Sequence, residues 1–136
     1  MIQAEYAFPC ATQNEINLGE AEGMIKNGLK GVFEGANMPC ENPAIDLINE
    51  HQLLFAPAKA ANAGGVAISA IEMSQNSMGM SWKRDEVDAK LKEIMQSIHQ
   101  TCVKYGKKGD RVCYQTGANI GGFVKVADAM LAFGIN

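Results

Sequence analysis

The chain of 136 residues has few of the side chains that metal and nucleophilic chemistry require, with only two histidines and four cysteines. The cysteines contain no CxxC pair, which argues against zinc sites and thioredoxin-type motifs. His99 lies three residues before Cys102, so a helix would place both on one face. No third orienting group is recognisable, and we interpret Cys102 as a core residue. We predict no metal ligand and no catalytic residue in this chain.

Strong charge and long apolar runs are also missing. The net charge is -3, and the 12 lysines and arginines form no basic stripe for nucleic acid and no polybasic membrane anchor. Residues 1–5 lack the features of a secretion signal, and no apolar run approaches membrane-spanning length. We therefore expect a cytoplasmic protein with neither nucleic acid nor a membrane as partner.

Several common site motifs do not occur. There is no G-x-G-x-x-G and no Walker loop, so the glycine-rich turn that cradles phosphates is missing. Paired carboxylates and a Ser/His/Asp arrangement do not stand out either.

Three stretches instead combine an asparagine with small residues: EGAN at 34–37, ANAGGV at 61–66 and GANIGG at 117–122. An asparagine amide can donate and accept hydrogen bonds, and glycine lets other groups approach the backbone closely. For a single stretch, ordinary turn and cap chemistry is the better explanation. The three indicate a ligand crevice only if they converge in space.

The first half of the chain alternates short strands and helices. Strands are predicted at residues 6–9, 29–33 and 53–57, and Asn17 and Asn42 are predicted helix N-caps. Repeated strand–loop–helix units predict an α/β fold with about three parallel strands and crossover helices. The loops at 10–14, 35–37 and 59–62 should share the rim where such sheets bind ligands. Three strands are few for an independent α/β domain, so the sheet is typical of half of a larger domain.

Helices are predicted at about 64–78, at 84–105 and from Tyr114 onward, with a solvated loop at 104–110. Val66 and Ser69 are three residues apart and should share a face near the start of the first of these helices. Gly117, Gly121 and Gly122 weaken the last helix, a cost that close helix contact would justify. We divide the chain into residues 1–80 and a C-terminal helical segment, 81–136, packed on them.

Five motifs together identify a family resemblance: PCATQNE at 9–15, EGANMP at 34–39, AKAANAGGVA at 58–67, EMSQN at 72–76 and GANIGGFVKVADAM at 117–130. They resemble the C-terminal part of hexameric glutamate dehydrogenases, in particular the NADP-type bacterial enzymes. The resemblance covers essentially the whole chain, and the motifs follow the order and spacing of the family.

The resemblance implies that residues 1–80 are the second half of a Rossmann-like dinucleotide-binding domain. It implies oxidative deamination of L-glutamate to 2-oxoglutarate and ammonia, with NADP, or alternatively NAD, as cofactor, in a homo-hexamer. The implied cofactor-binding residues are Cys10, Ala11, Thr12, Gly35, Asn37 and Asn62, with the two asparagines at the nicotinamide end. The implied substrate-binding residues are Val66 and Ser69, with Ser69 on the side-chain carboxylate.

The resemblance also implies that a preceding domain of the same enzyme carries the catalytic lysine and aspartate. The chain alone is then expected to bind cofactor weakly and to lack activity. Two alternatives stay open: a leucine or phenylalanine dehydrogenase, in which no hydroxyl needs to face a carboxylate, and a non-catalytic nucleotide-binding or assembly module derived from the same fold.

Overall fold

The computed structural model describes residues 2–134. Three parallel strands form the central sheet in the order β1 (Tyr6–Ala7), β2 (Gly31–Phe33) and β3 (Leu54–Ala56). Tyr6 pairs with Gly31, and Val32 pairs with Phe55. Helices α1 (Leu18–Lys26) and α2 (Asn42–Glu50) connect the strands, so the predicted α/β fold with a parallel sheet is confirmed.

The helix ends follow from local chemistry. Asn17 caps α1: its Oδ1 accepts from the Glu20 backbone N–H at 3.0 Å, while Glu20 Oε2 accepts from the Asn17 N–H at 2.8 Å. Gly28 follows this helix with a φ of +93°, which glycine tolerates best. The predicted cap at Asn42 is wrong, because Glu41 holds the N-cap position and Pro43 lies in the first turn.

The core lies between the sheet and the first two helices. Its buried apolar residues are Ile16, Ala21, Leu29, Val32, Cys40, Ala44, Ile45, Ile48 and Phe55. Val32 and Ile48 are fully buried, so β2 is the centre of both the sheet and the core. This packing fixes the strand ends at which the loops begin.

Four further helices follow β3: α3 (Ala58–Ala61), α4 (Ala63–Met78), α5 (Arg84–Gly106) and α6 (Tyr114–Phe133). Between the last two, β4 (Lys107–Lys108) pairs with β5 (Arg111–Val112) as a tight antiparallel hairpin. Residues 107–110 are exposed, as predicted for a solvated loop at 104–110, but they belong to this hairpin. Helix α5 continues to Gly106, and the chain turns back at Gly109, whose φ is +61°. Across residues 2–134, none of the helices combines the length and apolar character needed to cross a bilayer.

The predicted close contact at the glycines of α6 is confirmed for two of the three. A Cβ at Gly117 would overlap the carbonyl oxygen of Cys102, and one at Gly121 would overlap the Thr101 side chain. A Cβ at Gly122 would have nothing within 4 Å. The first two glycines therefore let α6 lie directly on α5.

Candidate functional site

A cleft of about 620 Å³ opens at the carboxyl ends of β1 and β2, beside the start of α4. All residues predicted to bind cofactor or substrate line it. The lining consists of Cys10, Ala11, Thr12, Gln13, Gly35, Ala36, Asn37, Asn62, Gly65, Val66 and Ser69. Two of the three asparagine stretches, 34–37 and 61–66, therefore converge at this cleft and the third does not, and the binding role of each residue stays a prediction.

The loops after β1 and β2 touch each other at the floor of the cleft. The backbone N–H groups of Gly35 and Ala36 both donate to the Pro9 carbonyl oxygen, at 3.0 and 2.9 Å. A Cβ at Gly35 would overlap the sulfur of Cys10. Gly35 is therefore required for this close approach of two backbones.

Asn62 lies between α3 and α4 and holds the loop after β2. Its Nδ2 donates to Asn37 Oδ1 at 3.0 Å, to the Gly35 carbonyl oxygen at 3.2 Å and to the Ala36 carbonyl oxygen at 3.4 Å. Although Asn62 occupies the N-cap position of α4, its side chain makes no capping hydrogen bond. Simple cap chemistry does not explain this asparagine.

The start of α4 presents two different faces. A Cβ at Gly64 would press on Leu91 and Met95 of α5, whereas one at Gly65 would meet nothing within 4 Å. Val66 is 73% exposed, and Ser69 is exposed one turn further along. Helix α4 thus packs on α5 through one glycine and faces the cleft with the other.

The Ser69 hydroxyl makes no hydrogen bond to its own helix, unlike the hydroxyls of Ser74 and Thr101. Ser74 donates to the Ala70 carbonyl oxygen and Thr101 donates to that of Ser97, both at 2.9 Å. Within residues 2–134 the Ser69 hydroxyl has no protein partner, so it is available to a ligand in the cleft.

Glu34 supports the site without lining the cleft, a role that the sequence reasoning missed. It is only 4% exposed, and its two carboxylate oxygens accept from the backbone N–H groups of Ala58, at 2.7 Å, and Cys40, at 3.3 Å. The carboxylate thereby ties the end of β2 to the start of α3 and to the loop before α2. A polar residue directly after a strand is the only sequence signal for this role.

Asn119 and Lys59 lie outside the cleft. Lys59 lines a neighbouring cleft of about 630 Å³, which shares Asn37 and Asn62 with the first. Its Nζ donates to Asn119 Oδ1 at 2.5 Å and so joins α3 to α6. The third asparagine stretch therefore belongs to a contact between helices, as the sequence analysis expected.

The buried thiols Cys40 and Cys102 resist ionisation. Burial, followed by the nearby Glu34 carboxylate, raises the pKa of Cys40 to about 12. Burial also raises the pKa of Cys102, and His99 Nδ1 lies 3.0 Å from the Tyr114 hydroxyl. Burial opposes ionisation of Cys113, but hydrogen bonds from Thr116 and Gln115 and the charge of Lys108 together lower its pKa. This thiol does not line the cleft. Among the residues that the structure describes, no three His, Cys, Asp or Glu side chains are grouped as a metal site.

The sequence profile of the glutamate/leucine/phenylalanine/valine dehydrogenase family matches residues 1–134. The chain belongs to this family. It is 56% identical over 134 residues to an NADP-specific glutamate dehydrogenase of Salmonella typhi and 53% identical over 135 residues to an NAD-specific glutamate dehydrogenase of Bacteroides fragilis. Each match covers 98% of this chain and 30% of the relative, so the chain spans less than a third of the length of these relatives.

Solved structures of family members show the same fold. Glutamate dehydrogenase 2 of Plasmodium falciparum is 48% identical and superposes with a TM-score of 0.89, over 98% of this chain and 29% of the other. The glutamate dehydrogenase resemblance and the assignment of the fold to this family are thereby confirmed.

Proposed function

We propose that this chain forms the nicotinamide and substrate wall of the active site of a glutamate dehydrogenase. The reaction is the conversion of L-glutamate, NADP and water to 2-oxoglutarate, ammonia and NADPH. The observation that carries the proposal is the meeting of every predicted ligand residue in one cleft at the strand ends. Its support is a family match over residues 1–134.

The cofactor side of the cleft suits a nicotinamide ring with its carboxamide. Asn37 and Asn62 supply amide groups, and the touching loops of Cys10 and Gly35 form a floor of small groups. A bound nicotinamide cofactor supplies the hydride acceptor. We propose NADP as the cofactor, because the name of the 56% identical Salmonella typhi relative gives NADP specificity. NAD is the alternative, because a 53% identical relative is named as NAD-specific.

The substrate side lies at the first turns of α4. The exposed Val66 offers an apolar contact, and the unpartnered Ser69 hydroxyl can donate to a carboxylate. A leucine or phenylalanine side chain would leave this hydroxyl without a partner. The arrangement therefore favours glutamate among the substrates after which the family is named.

The resemblance to the family implies that the acid and base groups for the chemistry lie on a preceding substrate domain of the same enzyme. The proposed partners are that domain and further copies in a homo-hexamer. No charged side chain among residues 2–134 lines the cleft, and we propose that this part of the enzyme orients ligands without transferring protons.

A chimera tests the proposal. This chain replaces the matched 134 residues of the Salmonella typhi enzyme, and glutamate-dependent NADP reduction is measured for the chimera, the parent enzyme and the 136-residue chain alone. We expect activity in the chimera and the parent only. A folded and assembled chimera without activity contradicts the proposed function, and activity of the chain alone contradicts the assignment of proton transfer to another domain.

A further inference from the structure

One NH2 group at the edge of the cleft serves three acceptors at once. The Nδ2 of Asn62 lies 3.0 Å from Asn37 Oδ1 and 3.2 and 3.4 Å from the carbonyl oxygens of Gly35 and Ala36. All three acceptors belong to the loop after β2. The donor capacity of Asn62 is therefore used inside the protein and not offered to a ligand.

This bridge fixes the orientation of the second amide. If Asn37 were rotated to exchange its oxygen and nitrogen, two NH2 groups would face each other without an acceptor. Asn37 therefore accepts through Oδ1 and keeps Nδ2 for other partners. Within residues 2–134 neither Asn37 Nδ2 nor Asn62 Oδ1 has a hydrogen-bond partner, and both residues line the cleft.

We infer that the NH2 group of Asn62 has a positioning role: it holds the loop 35–37 and sets Asn37 to meet the ligand as a hydrogen-bond donor. The inference rests on the proposed function for the identity of that ligand. A nicotinamide carboxamide then places its oxygen on Asn37 Nδ2 and its NH2 group on Asn62 Oδ1. The two asparagines thus have different roles, which substitutions of equal size can separate.

The test compares Asn62→Asp, Asn62→Ala and Asn37→Asp in the chimera. Binding of oxidised NADP is measured by calorimetry between pH 5 and pH 8. In Asn62→Asp an ionised carboxylate faces three acceptors, and we expect binding to weaken about tenfold at pH 8, as for the loss of one hydrogen bond. Because those acceptors disfavour the charged form, the new carboxyl group has a raised pKa and regains a donor as the pH falls.

The other variants supply the contrast. Asn62→Ala has no proton to gain, so its affinity stays low across the range after correction for the unsubstituted chimera. In Asn37→Asp the new carboxylate still accepts from Asn62, and this hydrogen bond favours the ionised form of the carboxylate. The affinity of Asn37→Asp for NADP should therefore recover at a lower pH than that of Asn62→Asp. The nearby titratable groups Cys10, Glu34 and Lys59 are unchanged in every variant, so their contribution appears in the Asn62→Ala profile.

Full affinity of Asn62→Asp at pH 8, or an equal loss at pH 5 and pH 8, would overturn the positioning role while the active chimera still supports the proposed function. Failure of the unsubstituted chimera to bind NADP would count against the proposed function alone.

In that case the hydrogen bond between Asn62 and Asn37 is tested by NMR, from the side-chain amide resonances of Asn37 in the nitrogen-15 labelled 136-residue chain. Asn62→Ala should shift these resonances, whereas Asn76→Ala, at an exposed position of α4, should not. Resonances that do not shift in Asn62→Ala would reject the inference.

Discussion

Glu34 shows how one buried side chain can organise a site that it does not enter. Its carboxylate joins the end of β2 to Cys40 and to Ala58, so the loop after β2 and helix α3 both begin next to these contacts. The convergence of Cys10, Asn37 and Asn62 could be predicted, because parallel strands end at one edge of a sheet. The role of Glu34 could not, since its partners are backbone N–H groups 6 and 24 residues away.

Replacing Glu34 with glutamine tests this role at constant size. A glutamine has one accepting oxygen, so one of the two N–H groups loses its partner and faces an NH2 group. We expect Glu34→Gln to lower the free energy of unfolding of the chain by about 1–3 kcal/mol in urea titrations. Glu22→Gln, at an exposed position of α1, is the control, and equal effects of the two would show that the carboxylate is not a structural tie.

Ser69 is the single residue proposed to select glutamate as the substrate. In the active chimera, Ser69→Leu removes the donor for the substrate's side-chain carboxylate and adds bulk to the cleft. We expect kcat/KM for glutamate to fall about 10-fold to 100-fold, as for loss of a hydrogen bond to a charged group. Ser77→Leu, two turns further along α4 and outside the cleft, should leave it unchanged. Retained glutamate efficiency in Ser69→Leu would contradict the assigned substrate contact.

At the scale of elements, local sequence signals placed the helices and strands well and their ends less well. The strands predicted at residues 29–33 and 53–57 are shorter in the structure, because hydrogen-bonded pairing with neighbouring strands, and not apolar character, sets where a strand ends. The hairpin at Lys107–Val112 was missed, since its pairing depends on where α5 and α6 bring their ends together. Helix contact through glycine was predictable from the cost of glycine in a helix.

Two glycines of α6 form a matched pair for measuring that contact. Gly117→Ala places a methyl group on the carbonyl oxygen of Cys102, and the helices must move apart. We expect a loss of about 1–3 kcal/mol in the free energy of unfolding, as for an overpacked interior. Gly122→Ala has open space around the new methyl group and should gain about 1 kcal/mol from helix propensity. Similar changes in both variants would show that α5 and α6 do not pack as described.

At the scale of the whole molecule, the sequence indicated an incomplete sheet, and the structure adds which surfaces are open. Within residues 2–134, β1 pairs only with β2, and Phe8 beside it is 66% exposed although it stacks on Phe33. Large apolar side chains are also exposed along α6: Ile120, Phe123, Val126, Met130, Leu131 and Phe133. The sequence predicted this helix but not which of its residues α5 covers.

This exposed apolar surface predicts the behaviour of the chain in solution. Contiguous apolar patches of more than a few hundred Å² promote association. We expect the 136-residue chain alone to self-associate with rising concentration in light scattering after size-exclusion chromatography. Phe123→Gln with Leu131→Gln removes two side chains that are 71% and 77% exposed and should shift the chain toward monomer. Lys125→Gln, at an exposed position of the same helix, should leave the association unchanged. If the double substitution does not reduce the association, the contact lies on another surface.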